Sequence, residues 1–337
     1  MILKHNPIRI SIIVPVYNGA QDLRECLSAL RAACCPGSEI IVVDDGSTDA
    51  SSDVAVEMGV RVLRLPRNSG PSAARNYGAQ HAQGDILFFV DADVVVMAGA
   101  ASHVLKVFEE NPNVDAVFGS YDGRPRAKGM ISQYRNLLHH FVHQNGKAEA
   151  STFWAGCGAV RRSAFQRVGG FDERLCRRAI EDIELGYRLR QAGHRILLDK
   201  ILHGTHLKRW TLRSMIRTDI FYRAVPWTRL ILESKNAPND LNLRGDQRLS
   251  VVLVILGCLF LVLAPLRLEM LAFSACAFSG VILLNRHLYA FFCRRGGLFF
   301  SAACIPLHFL YYLYSALAFL CVWVNAHRRS LESPKAE

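Results

Sequence analysis

The chain has 337 residues, a positive mean hydropathy of +0.15 and 20% charged residues, which excludes an evenly soluble domain and suggests a soluble part joined to a membrane part. Its formal charge of +11 is not a nucleic-acid signal in itself, because basic residues gather between Lys200 and Arg248, where they suit anionic lipid head groups beside an apolar run. The ten cysteines are scattered without a C-x-x-C pair, which argues against a disulfide framework and for reduced, mostly buried thiols.

The first apolar run, Ile10–Val16, is short, follows Pro7 and lacks a small-residue cleavage site. It therefore reads as a strand rather than a signal peptide, and the domain it opens is expected in the cytosol. Short runs rich in Ile, Val and Phe recur at Ile40–Val43, Val60–Leu65, Ile86–Val90 and Ala116–Phe118, each bounded by turn residues as buried strands are. Between them, Leu23, Cys26, Leu27 and Leu30 mark one face of a helix. Ser47, Thr48 and Asp49 supply N-cap candidates for the next helix, and Ala73 to Ala82 can form a third. Strands alternating with helices predict an α/β domain with a mainly parallel sheet covered on both faces. Ligands of such sheets bind beyond the carboxyl ends of the strands.

That rule gathers four polar clusters on one rim: Pro15-Val16-Tyr17-Asn18, Asp44-Asp45-Gly46-Ser47, Asn68 to Asn76, and Asp91-Ala92-Asp93. The last is a D-x-D placed where a wholly apolar strand leaves the core. Two such carboxylates form an oxygen site for a hard cation, Mn2+ or Mg2+, which commonly bridges to substrate phosphates. Neither G-x-G-x-x-G nor a Walker A sequence occurs, which argues against dinucleotide oxidoreductases and P-loop kinases.

Further along, Ile180-Glu181-Asp182-Ile183-Glu184 opens a segment with helical spacing, Ile180, Ile183 and Tyr187 facing inward. Spacing leaves Asp182 and Glu184 both open as a general base. Three uncharged stretches follow, Leu249 to Leu266, Met270 to Leu284 and Leu298 to Ala326. Pro306 is expected to divide the third into an interfacial approach, Leu298 to Ile305, and a span, Leu307 to Ala326. Arg286, Arg294 and Arg295 fit the cytosolic side, whereas an odd number of spans would put Arg328 and Arg329 on the other.

The ordered set Ile13-Val14-Pro15-Val16-Tyr17-Asn18, Val42 to Asp49, Asn68-Ser69-Gly70 to Asn76, and Asp91-Ala92-Asp93 resembles family 2 glycosyltransferases of the GT-A fold over roughly residues 8 to 210. The resemblance implies inverting transfer of a sugar from a nucleotide diphosphate donor. Pro15, Tyr17 and Asn18 would line the nucleoside pocket, with Asp44 and Asp45 beside it. Asp44 would contact the base, and Arg75 the base or its polar neighbours. Asp91 would sit near ribose and metal, and Asp93 would be the direct metal ligand. The family's acidic pair falls on Glu181 and Asp182, making Asp182 the catalytic base and Glu181 an acceptor-side residue. Trp154, Gly156 and the following Gly158 resemble the acceptor segment. His206-Leu207-Lys208-Arg209-Trp210 resembles the Q-x-x-R-W motif of membrane polysaccharide synthases, with His in place of Gln. His206 would be a metal or diphosphate contact and Arg209 a phosphate partner; read without the resemblance, the stretch is a basic-aromatic membrane-surface segment.

The expected layout is a cytosolic GT-A domain over residues 8–235, with a nucleotide half to about 120 and an acceptor half beyond. A linker over 236–248, two to three membrane helices over 249–326 and a polar tail over 327–337 complete it. The expected protein is a multi-pass, metal-dependent inverting glycosyltransferase of envelope biogenesis. Its partners are a nucleotide-sugar donor, a glycolipid or polyprenyl-linked acceptor and the membrane, not nucleic acid. A processive polysaccharide synthase and a non-catalytic scaffold are the alternatives.

Overall fold

In this computed structural model, residues 10–175, 179–234, 241 and 244–332 are described, and the chain divides between Arg209 and Trp210 into two units. The expected start at residue 8, residues 236–240 and 242–243 of the expected linker and residues 333–337 of the expected tail lie outside the described residues.

The first unit alternates strand and helix: β1 (Ile10–Val16), α1 (Ala20–Ala33), β2 (Ser38–Asp44), α2 (Ser51–Glu57), β3 (Arg61–Arg64), α3 (Pro71–His81) and β4 (Ile86–Val90). Then come β5 (Val94–Val96), α4 (Ala100–Glu110), β6 (Ala116–Tyr121), α5 (Met130–Gln144) and β7 (Cys157–Arg161). A short α6 (Arg162–Arg167), a 3-10 turn (Glu173–Leu175), α7 (Glu181–Gln191) and β8 (Ile196–His206) close the unit. The eight strands form one sheet in the order β3-β2-β1-β4-β7-β6-β8-β5.

The mainly parallel sheet is borne out, with a qualification that matters for the site. The pairs β3/β2, β2/β1, β1/β4 and β6/β8 are parallel, whereas β7 lies antiparallel to both β4 and β6, and β5 antiparallel to β8. Antiparallel β7 mixes the second half of the sheet, which the strand-helix rhythm did not foretell. All five residues of β4 are buried, because a central strand is covered on both faces. Leu23, Cys26, Leu27 and Leu30 are likewise buried on the inner face of α1.

Two local expectations change. Helix α2 begins at Ser51 with Ala50 at the cap, not at Ser47 to Asp49; Asp49 Oδ1 accepts from Ser51 N at 3.0 Å, while Ser47 Oγ is used by Asn18. Of the three α7 residues expected inward, Ile180 and Tyr187 are buried and Ile183 only half-buried.

The second unit is helical: α8 (Leu212–Arg217), a π-helical stretch (Thr218–Ala224), α9 (Val225–Ser234), α10 (Gly245–Leu263), α11 (Met270–Leu284) and α12 (Arg286–Glu332). Helix α10 starts inside the expected linker. Of the described helices, α10 and residues 286–328 of α12 are long and apolar enough to cross a membrane, and α11 is shorter. The interruption expected at Pro306 falls instead at Gly297, whose φ of 82° is outside the helical region and open to glycine; Pro306 stays inside the helix. Residues 298–326 therefore run as one helix rather than an approach and a span. Helices α10 and α11 approach closely, since a Cβ on Gly257 would lie 2.6 Å from the Phe278 ring, and Ser274 Oγ donates to Gly257 O at 2.9 Å. Asn285 donates to Ser250 Oγ, and the Tyr312 hydroxyl donates to Gln247 Oε1 at 2.8 Å, so polar atoms inside this bundle are paired.

Candidate active site

The carboxyl ends of β1, β2 and β4 lie side by side, because the three strands are parallel neighbours. Asn18 stands just past β1 with a left-handed φ of 50°. Its Oδ1 accepts from Thr48 N at 2.8 Å, and its own N–H donates to Ser47 Oγ at 3.0 Å, so the loops after β1 and β2 are tied together. Tyr17 is 50% exposed beside this tie, an aromatic face left open to solvent on the rim. Pro15 lies within β1 opposite Val43.

Asp44 and Asp45 divide their work. Asp44 is fully buried at the end of β2; its Oδ1 accepts from Ser47 N at 2.8 Å, and its Oδ2 has no hydrogen-bond partner among the described residues but is ion-paired with Arg64, whose Nε is 3.4 Å away. Asp45 turns to the loop before α3, its two oxygens accepting from Ser69 N at 2.7 Å and Gly70 N at 2.8 Å. Burial, with Asp44 alongside, pushes the Asp45 carboxyl up despite those two bonds. Gly46 between the loops has φ +73°, and a Cβ there would sit 2.7 Å from the Arg67 carbonyl carbon, so only glycine lets these backbones meet.

Arg75, on α3, is the hinge pin of the rim. Its Nη2 donates to Asp91 Oδ1 at 2.6 Å and its Nη1 to Glu181 Oε1 at 2.7 Å, with the guanidinium 5.4 Å from the centre of the Phe171 ring. Burial alone would lower its pKa, but the charges of Asp91 and Glu181 overrule burial and keep it protonated. The resemblance implied a contact from Arg75 to the nucleotide base or its polar neighbours; in the structure Arg75 joins the D-x-D to the acidic pair of α7.

Asp182, next to Glu181, accepts from Ile183 N at 2.8 Å through Oδ1 and from Ala155 N at 3.2 Å through Oδ2. Ala155 lies between Trp154 and Gly156, and Gly156 O accepts from Asp91 N at 3.2 Å. The Trp154 ring lies over Gly156, where a Cβ would meet it at 2.6 Å. Trp154, Gly156, Asp182, Glu181, Arg75 and Asp91 thus form one connected set. Glu184 is engaged elsewhere, accepting from Arg188 Nη2 at 2.6 Å.

Strand β5 pairs with β8 so that Val94 faces His206 and Leu207 N donates to Asp93 O at 2.8 Å. This brings His206 Nε2 to 3.3 Å from Asp93 Oδ2. Burial pushes the Asp93 carboxyl up, but hydrogen bonding and charge from His206, with Lys208 beyond, outweigh it and hold it below the usual carboxylate value. The His206 ring stacks on Tyr121 with centroids 4.3 Å apart. Arg209 is near enough for its charge to act on Asp22.

A divalent cation fits these residues as a two-donor site. Ligands about 2.1 Å from an octahedral cation, on adjacent positions, lie about 3 Å apart, close to the spacing seen between Asp93 and His206. No group of three His, Cys, Asp or Glu suited to a metal occurs among the described residues, so phosphate and water would have to supply the remaining ligands. Two residues of this corner were not foreseen. Asp22 on α1 has its carboxyl raised by burial and by Asp93, and Asn136 on α5 contacts His206. Neither sits in a motif; only the packing of α1 and α5 on the sheet reveals them.

Residues 11–169 match the family model for glycosyl transferase family 2, and residues 135–208 match that for the N-terminal domain of galactosyltransferase. Among curated relatives, a pre-mycofactocin glycosyltransferase of Mycobacterium tuberculosis is 31% identical over 224 residues, 63% of this chain and 46% of that protein. Glycosyltransferase GlyA of Streptococcus pneumoniae is 36% identical over 149 residues, 43% of this chain and 21% of its own. The chain spans about half the length of the first of these relatives, or less of the second. Among solved structures, the mannosyltransferase PcManGT from Pyrobaculum calidifontis in complex with GDP-Man and Mn2+ superposes with a TM-score of 0.61 at 20% identity, covering 94% of this chain and 88% of that one. That likeness establishes the fold as GT-A-like, a mixed sheet with mostly parallel strands followed by C-terminal helices.

Proposed function

We propose, for a chain that carries a family 2 glycosyltransferase domain, inverting transfer of a sugar from a uridine diphosphate donor to a hydroxyl of a membrane-associated acceptor. The observation that carries this reading is Arg75 bonded at once to Asp91 and Glu181. Inversion needs the leaving diphosphate and the acceptor's base on opposite sides of one reacting carbon, and this strut sets the distance between their two elements.

Asp44 would read the base. Its Oδ1 is taken by Ser47 N, and its Oδ2, which faces Arg64 Nε at 3.4 Å, would offer one oxygen to one N–H, suiting the single imide N–H of uracil better than the two donors of guanine. Tyr17 would stack on the base, and Pro15 and Asn18 would shape the pocket floor, with Asp45 holding the loop that closes it. Asp182 would take the acceptor proton as the new carbon–oxygen bond forms and the bond to diphosphate breaks. The Ala155 N–H keeps its carboxylate aimed, and Trp154 with Gly156 would offer a flat face to the acceptor sugar.

Mn2+ or Mg2+, when bound, would neutralise negative charge on the departing diphosphate. Asp93 and His206 would hold it, with Asp91 beside them and Arg209 toward the phosphates. The Mn2+ in the mannosyltransferase complex supports the same use here. The apolar helices support a membrane-bound enzyme, and confinement to one plane raises the effective concentration of a glycolipid or polyprenyl-linked acceptor. The test is nucleotide release from each common UDP- and GDP-sugar with Mn2+ and membrane lipid extract, followed by mass analysis of the lipids. A single added sugar on a lipid is the expected product; long polymer, or no glycosylated lipid from any donor, overturns the reading.

A further inference from the structure

We propose that Asn136 is a positioning residue that fixes which nitrogen of His206 faces Asp93, making that imidazole a cation ligand. This rests on the reading that Asp93 and His206 hold a divalent cation.

Helix α5 is docked on the end of β6 by its own polar side chains. His140 Nδ1 lies 2.7 Å from Tyr121 O and His143 Nδ1 3.0 Å from Gly119 O, and Gln144 Nε2 donates to Ser120 Oγ at 3.0 Å. One turn before His140, Asn136 is 1% exposed, and its Oδ1 stands 2.7 Å from His206 Nδ1. An amide oxygen can only accept, so Nδ1–H is the donor and Nε2 is the nitrogen turned to Asp93, 3.3 Å away: as the imidazolium it meets the carboxylate with an N–H, and as the neutral ring it offers a lone pair to a cation. In the neutral form that lone pair and the carboxylate repel each other unless a cation lies between them, which is the arrangement a bound metal would complete. Stacking on Tyr121 prevents the ring from turning away.

The amide nitrogen of Asn136 supplies the second observation. Nδ2 is buried without a hydrogen-bond partner among the described residues, so the side chain is held there for its oxygen at the expense of its nitrogen. The opposite amide orientation would send Nδ2–H to His206 Nδ1, place the imidazole hydrogen on Nε2 and close the corner with a direct bond to Asp93. The two orientations predict opposite responses to the same substitutions.

The test uses the full chain in detergent with UDP present, reading bound Mn2+ by the loss of its free electron-paramagnetic signal. Asn136→Ala is expected to weaken Mn2+ binding by about 10- to 100-fold. Turnover at saturating Mn2+ should then change far less than the Mn2+ concentration giving half-maximal rate. Asn136→Asp, which can only accept from Nδ1–H, should restore binding, a rescue that a purely structural residue does not give. Unchanged or tighter Mn2+ binding in Asn136→Ala, or equal losses in the Ala and Asp variants, overturns the role of Asn136 alone. If the unsubstituted protein binds no Mn2+ with UDP, the cation reading falls, and this inference with it.

Discussion

Arg75 and Glu181 are 106 positions apart in sequence and meet in a buried ion pair at 2.7 Å, with Asp91 on the other arm of the same guanidinium. The pair connects α3 to α7, the helix that opens with Glu181 and the proposed base Asp182. The other oxygen of Glu181, Oε2, is buried with no hydrogen-bond partner among the described residues.

Removing Arg75 leaves two acids without their cation. Arg75→Met is expected to destabilise the first unit by about 3–5 kcal/mol, as breaking a buried pair does. The double variant Arg75→Met/Glu181→Leu should recover part of that loss, because the buried charge goes with its partner. Urea unfolding curves of the single and double variants check this; equal loss in both would refute the strut.

Asp182→Asn keeps an oxygen for the Ala155 N–H and removes the base. Turnover should fall by about 10²- to 10⁴-fold. UDP affinity should stay within about 2-fold if Asp182 acts on the acceptor, as proposed. Steady-state nucleotide release and calorimetric UDP binding separate the two quantities, and a parallel loss of both would make Asp182 a donor-site residue instead.

Asp44→Asn removes the charge that faces Arg64 and replaces the proposed acceptor of the base N–H with a side chain that also donates. Loss of a hydrogen bond to a charged group, about 1.5–3 kcal/mol, corresponds to roughly 10- to 150-fold weaker UDP binding. Calorimetry with UDP and GDP side by side tests the base preference, and tighter GDP than UDP binding by the unsubstituted protein would contradict it.

Gly46→Ala is a backbone test. Its φ of +73° and a Cβ only 2.7 Å from the Arg67 backbone combine strain with overlap. A stability loss above about 1 kcal/mol is expected, with weaker nucleotide binding because the Asp45 loop must shift. A Tm equal to that of the unsubstituted protein would show that the loops can part without cost.

Much of the first half of the fold was legible in the sequence because its central strands β1 and β4 are buried on both faces and read as nearly continuous apolar runs. β1 and β4 fall on the expected bounds, and β2 and β3 shift by only a residue or two. Capping was less legible: Ser47, Thr48 and Asp49 all carry capping oxygens, but Asn18 engages Ser47 and Thr48, and the helix starts past all three with Ala50 at its cap. The break in α12 was misplaced for a similar reason. Proline within a helix loses one hydrogen bond and can stay, whereas Gly297 takes a left-handed φ that no rule of composition forces.

The order of the acids along the chain, the apolar strand before Asp91 and the polar ends of β1 and β2 are local properties, fixed by residue type and period, and the sequence by itself determined them. Which acid meets which cation was decided by tertiary structure alone. Asp91 finds Arg75 through the packing of α3, Arg75 finds Glu181 through α7, and His206 reaches Asp93 because β8 returns antiparallel to β5. Such contacts join distant residues through strand order and helix docking, and a linear pattern of side chains carries no term for either.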